Sequence, residues 1–379
     1  MNAIIKLIRK TLQYFLLGIS YCCIRNKIKW VFGCHTGFMD NPKYLMLQRV
    51  SLYPCTCYWI SSSKEDVIKV QKIGLKAYHK NSILGIYHCL TAGVYIYSHD
   101  LYDINKWLSG GAKRICLWHG VGIKKIGGKT LSKHSYGQYP DIFLSTSPFM
   151  TTHFKYYLHL PDTTNIIESM YPRCEIRLCP NHKLIDHIKK YEGENMMNFV
   201  NRLKTYNKVY LYMPTWRDDK RDFISYSEID FEQLNQILEQ QNSLFILKLH
   251  PNTNLTIQAI TQYNNIHILQ KSIDIYPILP FTDVLITDYS SIYYDYLLLN
   301  KDVILFLFDF DNYLKNCREL AYDFNQYTTF GKKVYCFSDL LALIKQKNEK
   351  SKKCNDLKKI FWANNKNAFS LISEIQKTS

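Results

Sequence analysis

Short apolar runs alternate with segments of helical periodicity along most of this chain. Runs of this length, bounded by polar and turn-forming residues, are typical of buried strands. They fall at 30–34, 57–60, 83–87, 93–97, 114–117, 142–145 and 165–168, and in a second series at 209–213, 244–249, 266–269, 284–287, 303–307 and 334–336. Helical patterns lie between them, for example at 42–50 and 231–240. The pattern predicts an α/β protein with two doubly wound, Rossmann-like domains.

A polar, charged stretch at 181–208 separates the two series of strands. We therefore predict an N-terminal amphipathic helix at 1–29, a first Rossmann-like domain at 30–185, a second at 186–350, and a C-terminal helix at 351–379 that packs across both. Two such domains facing each other form the GT-B architecture. In open α/β sheets ligands bind at the carboxyl ends of the strands, so the residues after each strand are the candidates for chemistry.

The N-terminal segment has an apolar run at 14–24, which is shorter than the roughly 20 apolar residues of a membrane span. Basic residues flank it on both sides: Lys6, Arg9, Lys10, Arg25, Lys27 and Lys29. No small-residue cleavage site follows the run, which disfavours a signal peptide. Two interpretations stay open: a helix lying on an anionic membrane surface, or an ordinary amphipathic helix packed on the protein itself.

Composition narrows the choice of partners. The 48 basic and 32 acidic residues give a formal net charge of +16, which favours anionic partners. No zinc-finger or RNA-recognition motif accompanies the charge, so we do not expect a nucleic acid partner. The 12 cysteines show neither a disulfide framework nor metal-ligand spacing. They indicate reduced thiols in a cytosolic protein, and we expect no metal site.

The segment 283–311 contains a strand, a hydroxyl-rich turn, a helix and another strand. The first-turn N–H groups of a helix lack internal partners and, with the helix dipole, attract anions. Ser290 and Ser291 add hydroxyl donors at that point, which predicts a phosphate site. The alternative is that Asp288 or Ser290 only caps the helix. Asp295 lies on the same helical face as Ser291, where it would order the serines, contact a ligand or serve packing alone.

The strand at 114–117 is followed by His119, Gly120 and two lysines, Lys124 and Lys125. Histidine accepts a proton near neutral pH, and glycine lets backbone approach a ligand closely. A lone histidine at such a position is equally compatible with a structural role.

Two further strands end in cationic side chains spaced two residues apart. Lys248 and His250 close one strand, and Thr215 and Arg217 follow another. Spacing of two puts both members of each pair on one side of an extended chain, and the planar guanidinium suits phosphate. Each pair alone is also typical of an ion-paired strand end, whereas their recurrence favours phosphate binding.

These segments together resemble the CDP-glycerol glycerophosphotransferase family, the polyol-phosphate transferases of teichoic acid synthesis. The similarity is carried, in the family's order, by GCHTGFMDNPKYL, WHGVGIKKIG, MYPR, YMPTWR, KLHP and ITDYSSIYYDYLLLNKDVILFLFDFDNY. Two departures stand out: Val121-Gly122 replaces the usual Thr-Pro, and Cys174-Glu175 replaces the usual Asn-Asp. The first departure bears on acceptor identity.

The resemblance implies a GT-B enzyme that binds CDP-glycerol, or a similar CDP-polyol, in its second domain. The donor pyrophosphate would lie near His250, Ser290 and Ser291, with Thr215, Arg217, Lys248 and Arg173 meeting the phosphate charge. His119 from the first domain would take the acceptor's proton, and CMP would leave. Gly120, Asp288 and Asp295 would support the site. We expect no cofactor, because cationic side chains already meet the phosphate charge, although Asp309-x-Asp311 also matches the D-x-D metal motif of another glycosyltransferase architecture.

The acceptor implied by the resemblance is a lipid-linked saccharide or polymer, and the implied location is the cytoplasmic face of the bacterial membrane, held peripherally. The length, without an appended domain, favours addition of one unit over processive polymerisation. A second interpretation is a GT-B glycosyltransferase that uses a nucleotide sugar in capsule or O-antigen synthesis. A third, supported by charge alone, is a basic scaffold without catalysis.

Overall fold

The computed structural model describes residues 2–126, 139–217, 222–250, 253, 262–346, 354–363 and 367–378. The chain divides into two compact units. The first comprises Met1–His119, Lys129–Glu175 and Asn364–Ser379, and the second comprises Gly120–Gly128 and Ile176–Ala363. The C-terminal segment, predicted as one helix, is thus shared: its earlier part belongs to the second unit and its later part to the first.

The first unit is built on a seven-stranded parallel sheet in the order β3-β2-β1-β4-β5-β6-β7. Its strands are β1 (Asn26–Gly33), β2 (Cys57–Ser61), β3 (Ala77–His79), β4 (Ala92–Tyr97), β5 (Lys113–Cys116), β6 (Ile142–Ser145) and β7 (Asn165–Glu168). Its helices are α1 (Asn2–Cys22), α2 (Asp40–Leu52), α3 (Lys64–Lys72), α4 (Ile83–Thr91), α5 (Pro148–Leu158), α6 (Pro172–Glu175) and, near the C-terminus, α16 (Ala368–Thr378). The order in which successive strands join the sheet reverses between β1 and β4, which makes that pair the topological switch point where such sheets bind ligands.

The second unit repeats this plan with six parallel strands in the order β10-β9-β8-β11-β12-β13. These are β8 (Lys208–Met213), β9 (Ser243–Lys248), β10 (Ile266–Leu269), β11 (Val284–Thr287), β12 (Asp302–Phe306) and β13 (Lys332–Val334). The helices are α7 (Asn181–His187), α8 (Glu194–Leu203), α9 (Phe223–Tyr226), α10 (Phe231–Gln240), α11 (Ile292–Leu297), α12 (Phe310–Asn316), α13 (Phe324–Tyr327), α14 (Phe337–Lys345) and α15 (Asn355–Phe361). The switch point of this sheet lies between β8 and β11. Two parallel sheets of this order confirm the predicted α/β class.

One predicted strand is wrong: residues 83–87 form the start of helix α4. Ser82 explains the difference, because its side chain accepts a hydrogen bond from the backbone N–H of Gly85 and so caps a helix. The apolar run belongs to a helix with several exposed side chains, Ile83 among them, and the strand follows directly at Ala92. The polar stretch at 181–208, which separates the two series of predicted strands, contains the helices α7 and α8.

Helix α1 is docked at its C-terminal end. Ser20 is fully buried and its Oγ accepts a hydrogen bond from the backbone N–H of Gly110 at 2.8 Å. Arg25, just after the helix, donates to the carbonyl oxygens of Ser20 (3.0 Å) and Leu108 (2.9 Å). One face of the helix therefore packs on the first unit, as one of the two interpretations expected.

The other face of α1 is a stripe of exposed apolar side chains with the spacing of a single helical face: Ile5, Ile8, Leu12, Phe15 and Ile19. Within the described residues, no helix combines the length and apolarity that crossing a bilayer requires.

Candidate active site

The strand ends of the second sheet bring most of the predicted site residues to one edge. Strands β9, β8 and β11 are neighbours and parallel, so their carboxyl ends meet there. His250 follows β9, Thr215 and Arg217 follow β8, and Ser290 and Ser291 follow β11. Their grouping around the switch point was predictable from the alternation of strands and helices alone.

Arg217 lies beneath this edge in a buried cluster of charges. It is 2% exposed, and its Nε and Nη2 donate to the two carboxylate oxygens of Asp309 at 2.8 and 2.9 Å. Its Nη1 lies 2.9 Å from Oδ2 of Asp288 and donates to the carbonyl oxygen of Thr215 at 2.6 Å. Although burial lowers it, the charges of Asp288 and Asp309 raise the pKa of Arg217 above its ordinary value.

These contacts correct the interpretation of Arg217 as a phosphate ligand, because its guanidinium is directed at protein oxygens. They also involve Asp309, the first aspartate of the D-x-D segment. Both oxygens of Asp309 are occupied by Arg217, and Tyr289 also donates to one of them at 3.1 Å.

Asp288 has a supporting role that the sequence anticipated. It is 1% exposed and accepts hydrogen bonds from the backbone N–H groups of Thr215 (2.9 Å) and Tyr289 (2.6 Å). These bonds tie the end of β8 to the turn after β11. Thr215 contributes through its backbone, and its buried Oγ1 has no hydrogen-bond partner among the described residues.

Ser290 and Ser291 are partly exposed at the start of α11. Ser291 is the N-cap residue, yet its side chain makes no capping hydrogen bond. Asp288 is committed to Thr215 and Tyr289, so the alternative of simple capping does not describe the turn. In the part of the chain that the structure describes, neither serine hydroxyl makes an intramolecular hydrogen bond, so neither is committed to a protein group.

Asp295, for which three roles were left open, accepts a hydrogen bond from the hydroxyl of Tyr276 at 2.5 Å and is 2% exposed. Gly120 belongs to the second unit, and a Cβ added there would lie 3.5 Å from Oγ of Ser291. The segment that follows Gly120 is held by this unit through a bridge between Lys124 and Leu320.

Lys248 and His250 have different environments. The Lys248 Nζ donates to the carbonyl oxygens of Gln270 (2.7 Å) and Lys271 (2.8 Å), and burial lowers its pKa to about 8. Its contacts stabilise the turn after β10, which corrects the interpretation as a phosphate ligand. His250 is exposed, and its ring is stacked with that of Trp216 at 6.1 Å between centroids. Pro251 of the KLHP motif lies outside the described residues.

In the first unit, His119 follows β5. Its Nδ1 lies 3.4 Å from the carbonyl oxygen of Ser98, and its ring stacks on that of His99 at 3.7 Å with an interplanar angle of 17°. A neutral imidazole facing a carbonyl carries its proton on that nitrogen, so Nε2 is the proton acceptor. Burial, and then the electrostatic effect of His99 and Arg173, lower the pKa of His119 well below its ordinary value. A lowered pKa favours the neutral ring, which the predicted role as proton acceptor requires.

Arg173 holds the backbone at this position. It is 4% exposed, and its Nη1 donates to Oδ1 of Asp40 (2.6 Å) and to the carbonyl oxygen of His119 (2.9 Å). These contacts correct its interpretation as a donor-phosphate ligand and assign it to placing His119. Sequence reasoning missed His99 and Asp40. The signal for His99 was a histidine just after a predicted strand, the same signal that identified His119.

The geometry can be compared with known proteins. The family model described as CDP-Glycerol:Poly(glycerophosphate) glycerophosphotransferase matches residues 20–368. The chain belongs to this family. That membership confirms the resemblance drawn from the ordered motifs.

Two relatives illustrate the family's range. A teichoic acid poly(ribitol-phosphate) polymerase of Bacillus spizizenii is 30% identical over 253 residues, which are 63% of this chain and 39% of that protein. A teichoic acid glycerol-phosphate transferase of Staphylococcus aureus is 26% identical over 270 residues, 65% of this chain and 64% of that protein. The chain spans less than two thirds of the length of both relatives.

The fold is similar to that of the wall teichoic acid polymerase TagF. The solved structure aligns with a TM-score of 0.74 and 20% identity, covering 99% of this chain and 95% of that one. This likeness confirms the GT-B-like fold class.

The buried charge cluster yields a prediction. Arg217→Met leaves two buried carboxylates without their cation, so we expect the free energy of unfolding of the second unit to fall by about 3–5 kcal/mol. Thermal unfolding followed by circular dichroism measures this. Arg202→Met is the matched control, because Arg202 is exposed and bonds Tyr206 at the surface. An Arg217→Met protein with unchanged stability and weakened phosphate binding would restore the ligand role.

Proposed function

We propose that the protein transfers glycerol phosphate, or a related polyol phosphate, from a CDP-activated donor to a hydroxyl of a lipid-linked or polymeric glycan, and releases CMP. The observation that carries this proposal is the edge of the second sheet. There His250, Ser290 and Ser291 follow adjacent strand ends at the switch point, in a chain of the glycerophosphotransferase family. The nucleotide-sugar alternative has no comparable support, since the relatives compared above carry names of polyol-phosphate transfer.

The donor's pyrophosphate would be bound by hydroxyl and imidazole groups. Since Arg217 and Lys248 are directed at protein oxygens, the groups available at the sheet edge are Ser290, Ser291 and His250. The backbone N–H groups at the start of the short helix α11, after Ser291, would add their partial positive charge. Hydrogen bonds to phosphate oxygens stabilise charge that develops as the leaving phosphate departs.

The transfer step would be a displacement at the β-phosphorus. The acceptor hydroxyl oxygen forms the new P–O bond, and the bond from the β-phosphorus to the oxygen bridging the α-phosphate breaks. CMP leaves with that electron pair, and the acceptor's proton moves to Nε2 of His119. Positioning and electrostatic stabilisation account for catalysis in reactions of this kind, and the proposed step passes through no metal ion.

A donor panel tests the proposal. Supplied with a lipid-linked saccharide acceptor, the purified protein should release CMP from CDP-glycerol or CDP-ribitol, and should not release a nucleoside diphosphate from nucleotide sugars. Chromatography of the nucleotide products measures both. A folded protein that is inactive with every CDP-polyol but active with a nucleotide sugar would overturn the proposal in favour of glycosyl transfer.

Substitutions of His119 and His250 should have different effects on turnover and on donor binding. Loss of a general base typically costs about 10²–10⁴-fold in rate, so His119→Ala should depress turnover with little change in donor affinity. His250→Ala and Ser290→Ala remove groups proposed to contact phosphate, so donor binding should weaken by about tenfold or more, together with turnover. Calorimetric titration of each variant with the CDP-donor measures the donor affinity. Abolished binding in His119→Ala, with normal binding in His250→Ala, would reverse the assignments.

We further propose that the protein associates peripherally with the cytoplasmic face of the membrane through α1. The stripe of Ile5, Ile8, Leu12, Phe15 and Ile19 supports this, with the exposed basic residues Lys6 and Lys10 beside it. Apolar side chains would enter the interface between head groups and acyl chains, and the lysines would meet anionic lipid.

A triple variant tests this docking. Ile8→Ser, Leu12→Ser and Phe15→Ser together should abolish sedimentation with anionic liposomes while leaving the docked C-terminal end of α1 intact. The matched control is Ile68→Ser with Tyr156→Ser, two exposed apolar side chains of the same unit outside α1. Raised salt should weaken binding of the unmodified protein. Equal sedimentation of both variants and the parent protein would assign docking to another surface.

A further inference from the structure

Four side chains of the kinds that bind zinc lie together in the first unit. Cys34 and His35 follow β1, and His99 and Asp103 follow β4, the neighbouring strand. One donor atom from each residue lies within 4.8 Å of the other three. The cluster occupies the switch point of the first sheet, the position where doubly wound sheets bind ligands.

The spacing of the donor atoms fits a small coordination shell. The His35 Nδ1 lies 3.2 Å from Oδ1 of Asp103, and the His99 Nδ1 lies 3.6 Å from Oδ2. In a tetrahedral shell with Zn–N near 2.0 Å and Zn–S near 2.3 Å, ligand atoms are about 3.3–3.8 Å apart. The four donor atoms of the cluster lie within 4.8 Å of one another, so their largest separation exceeds the range of a tetrahedral shell by only about 1 Å.

The carboxylate is already held in place. Asp103 accepts hydrogen bonds from the backbone N–H groups of His35 (3.1 Å), Ser98 (3.0 Å) and His99 (2.9 Å). Carboxylates that bind metals typically carry such outer hydrogen bonds, which orient them. The contacts of His35 and His99 with Asp103 also fit histidine–carboxylate pairs, since the His35 Nδ1 is within hydrogen-bond distance of Oδ1. Such pairs do not account for the buried thiol of Cys34 at the same place.

Burial is arranged asymmetrically around the cluster. Cys34 is 2% exposed and Asp103 is 4% exposed, whereas His35 is exposed and His99 lies partly open. The Nδ1 of His99 is itself buried and has no hydrogen-bond partner in the described part of the chain. An ion would satisfy that nitrogen, and the exposed His35 would close the shell from the solvent side.

We propose that Cys34, His35, His99 and Asp103 bind one Zn²⁺ ion. A thiolate, two imidazoles and one carboxylate form a donor set that suits zinc and excludes the oxygen-preferring ions Mg²⁺ and Ca²⁺. The ion would join the loops after β1 and β4 and fix the ring of His99. Since His119 stacks on that ring, the site would also fix the orientation of the proposed base, a consequence that rests on the proposed function. The expectation of no zinc site came from cysteine spacing, which does not detect ligands contributed by separate strand ends.

Metal binding is measured on untagged, full-length protein that has been stripped with a chelator and dialysed. Equilibration with Zn²⁺, followed by elemental analysis, should give one tightly held ion per chain. Equimolar Co²⁺ should give intense visible bands of a tetrahedral site and a near-ultraviolet thiolate-to-cobalt band. Cys34→Ser should lose the thiolate band, and His99→Gln should weaken zinc binding at least about tenfold.

Cys55→Ser is the control, because Cys55 is an exposed thiol of the same unit outside the cluster, and it should keep both zinc and spectrum. Circular dichroism confirms that each variant is folded. If a variant fails to fold, the zinc content and cobalt spectrum of the unmodified protein still test the proposal. Absence of both stoichiometric zinc and the cobalt–thiolate band in that protein overturns it. Retention of the band in folded Cys34→Ser, or its loss in Cys55→Ser, overturns it equally. Neither readout depends on transferase activity, so failure here leaves the proposed function standing.

Discussion

The ion cluster around Arg217 is the contact on which the proposed donor site depends. The guanidinium joins the ends of three neighbouring strands: it follows β8 and pairs with Asp288 after β11 and Asp309 after β12. Each of these charges would be costly to bury alone, and together they fix the turns that follow the strands. Because Asp288 also holds the backbone N–H groups of Thr215 and Tyr289, the backbone leading to Ser290 and Ser291 is positioned without using their hydroxyls.

A similar division applies in the first unit, where buried polar side chains hold the backbone and a histidine is left for chemistry. Arg173 bonds the carbonyl oxygen of His119, and Asn41 bonds those of Leu117 and Trp118. The ring of His119 is then defined by the Ser98 carbonyl on one nitrogen and by the stacked His99. Arginine at both sites holds the backbone near the chemistry, while hydroxyl and imidazole groups are the candidates for contact with substrate.

Hydrophobic patterning predicted most of the fold, because buried parallel strands appear as short apolar runs. The bounds of β6, β7, β10 and β11 coincide with the predicted runs, and the repeated alternation of strands and helices predicted two doubly wound units. The prediction of a strand at 83–87 was wrong because an apolar run of that length is compatible with either a strand or a helix. The capping hydrogen bond to the Ser82 side chain favours the helix. The short edge strand β3 carries only three residues and gave no signal of its own.

The sequence predicted which residues lie at the candidate site better than it predicted what their side chains contact. Position after a strand shows which residues reach the sheet edge, and in the structure Ser290, Ser291, His250 and His119 do follow strand ends. It does not show where a long cationic side chain directs its donors. Arg217, Arg173 and Lys248 were therefore interpreted as phosphate ligands, although each is nearly buried and bonded to protein oxygens. The cluster at Cys34 and His99 depends on two loops meeting in space, which a linear pattern does not reveal.

The fate of the donor's β-phosphorus tests the central claim most directly. CDP-glycerol labelled at that atom would be incubated with the enzyme and a lipid-linked saccharide, and the products separated. Displacement at the β-phosphorus predicts that the label moves into the acceptor as a phosphodiester and that the released nucleotide is unlabelled CMP. Label retained in CDP, with an unphosphorylated glycerol joined to the acceptor, would show cleavage on the carbon side and contradict the account.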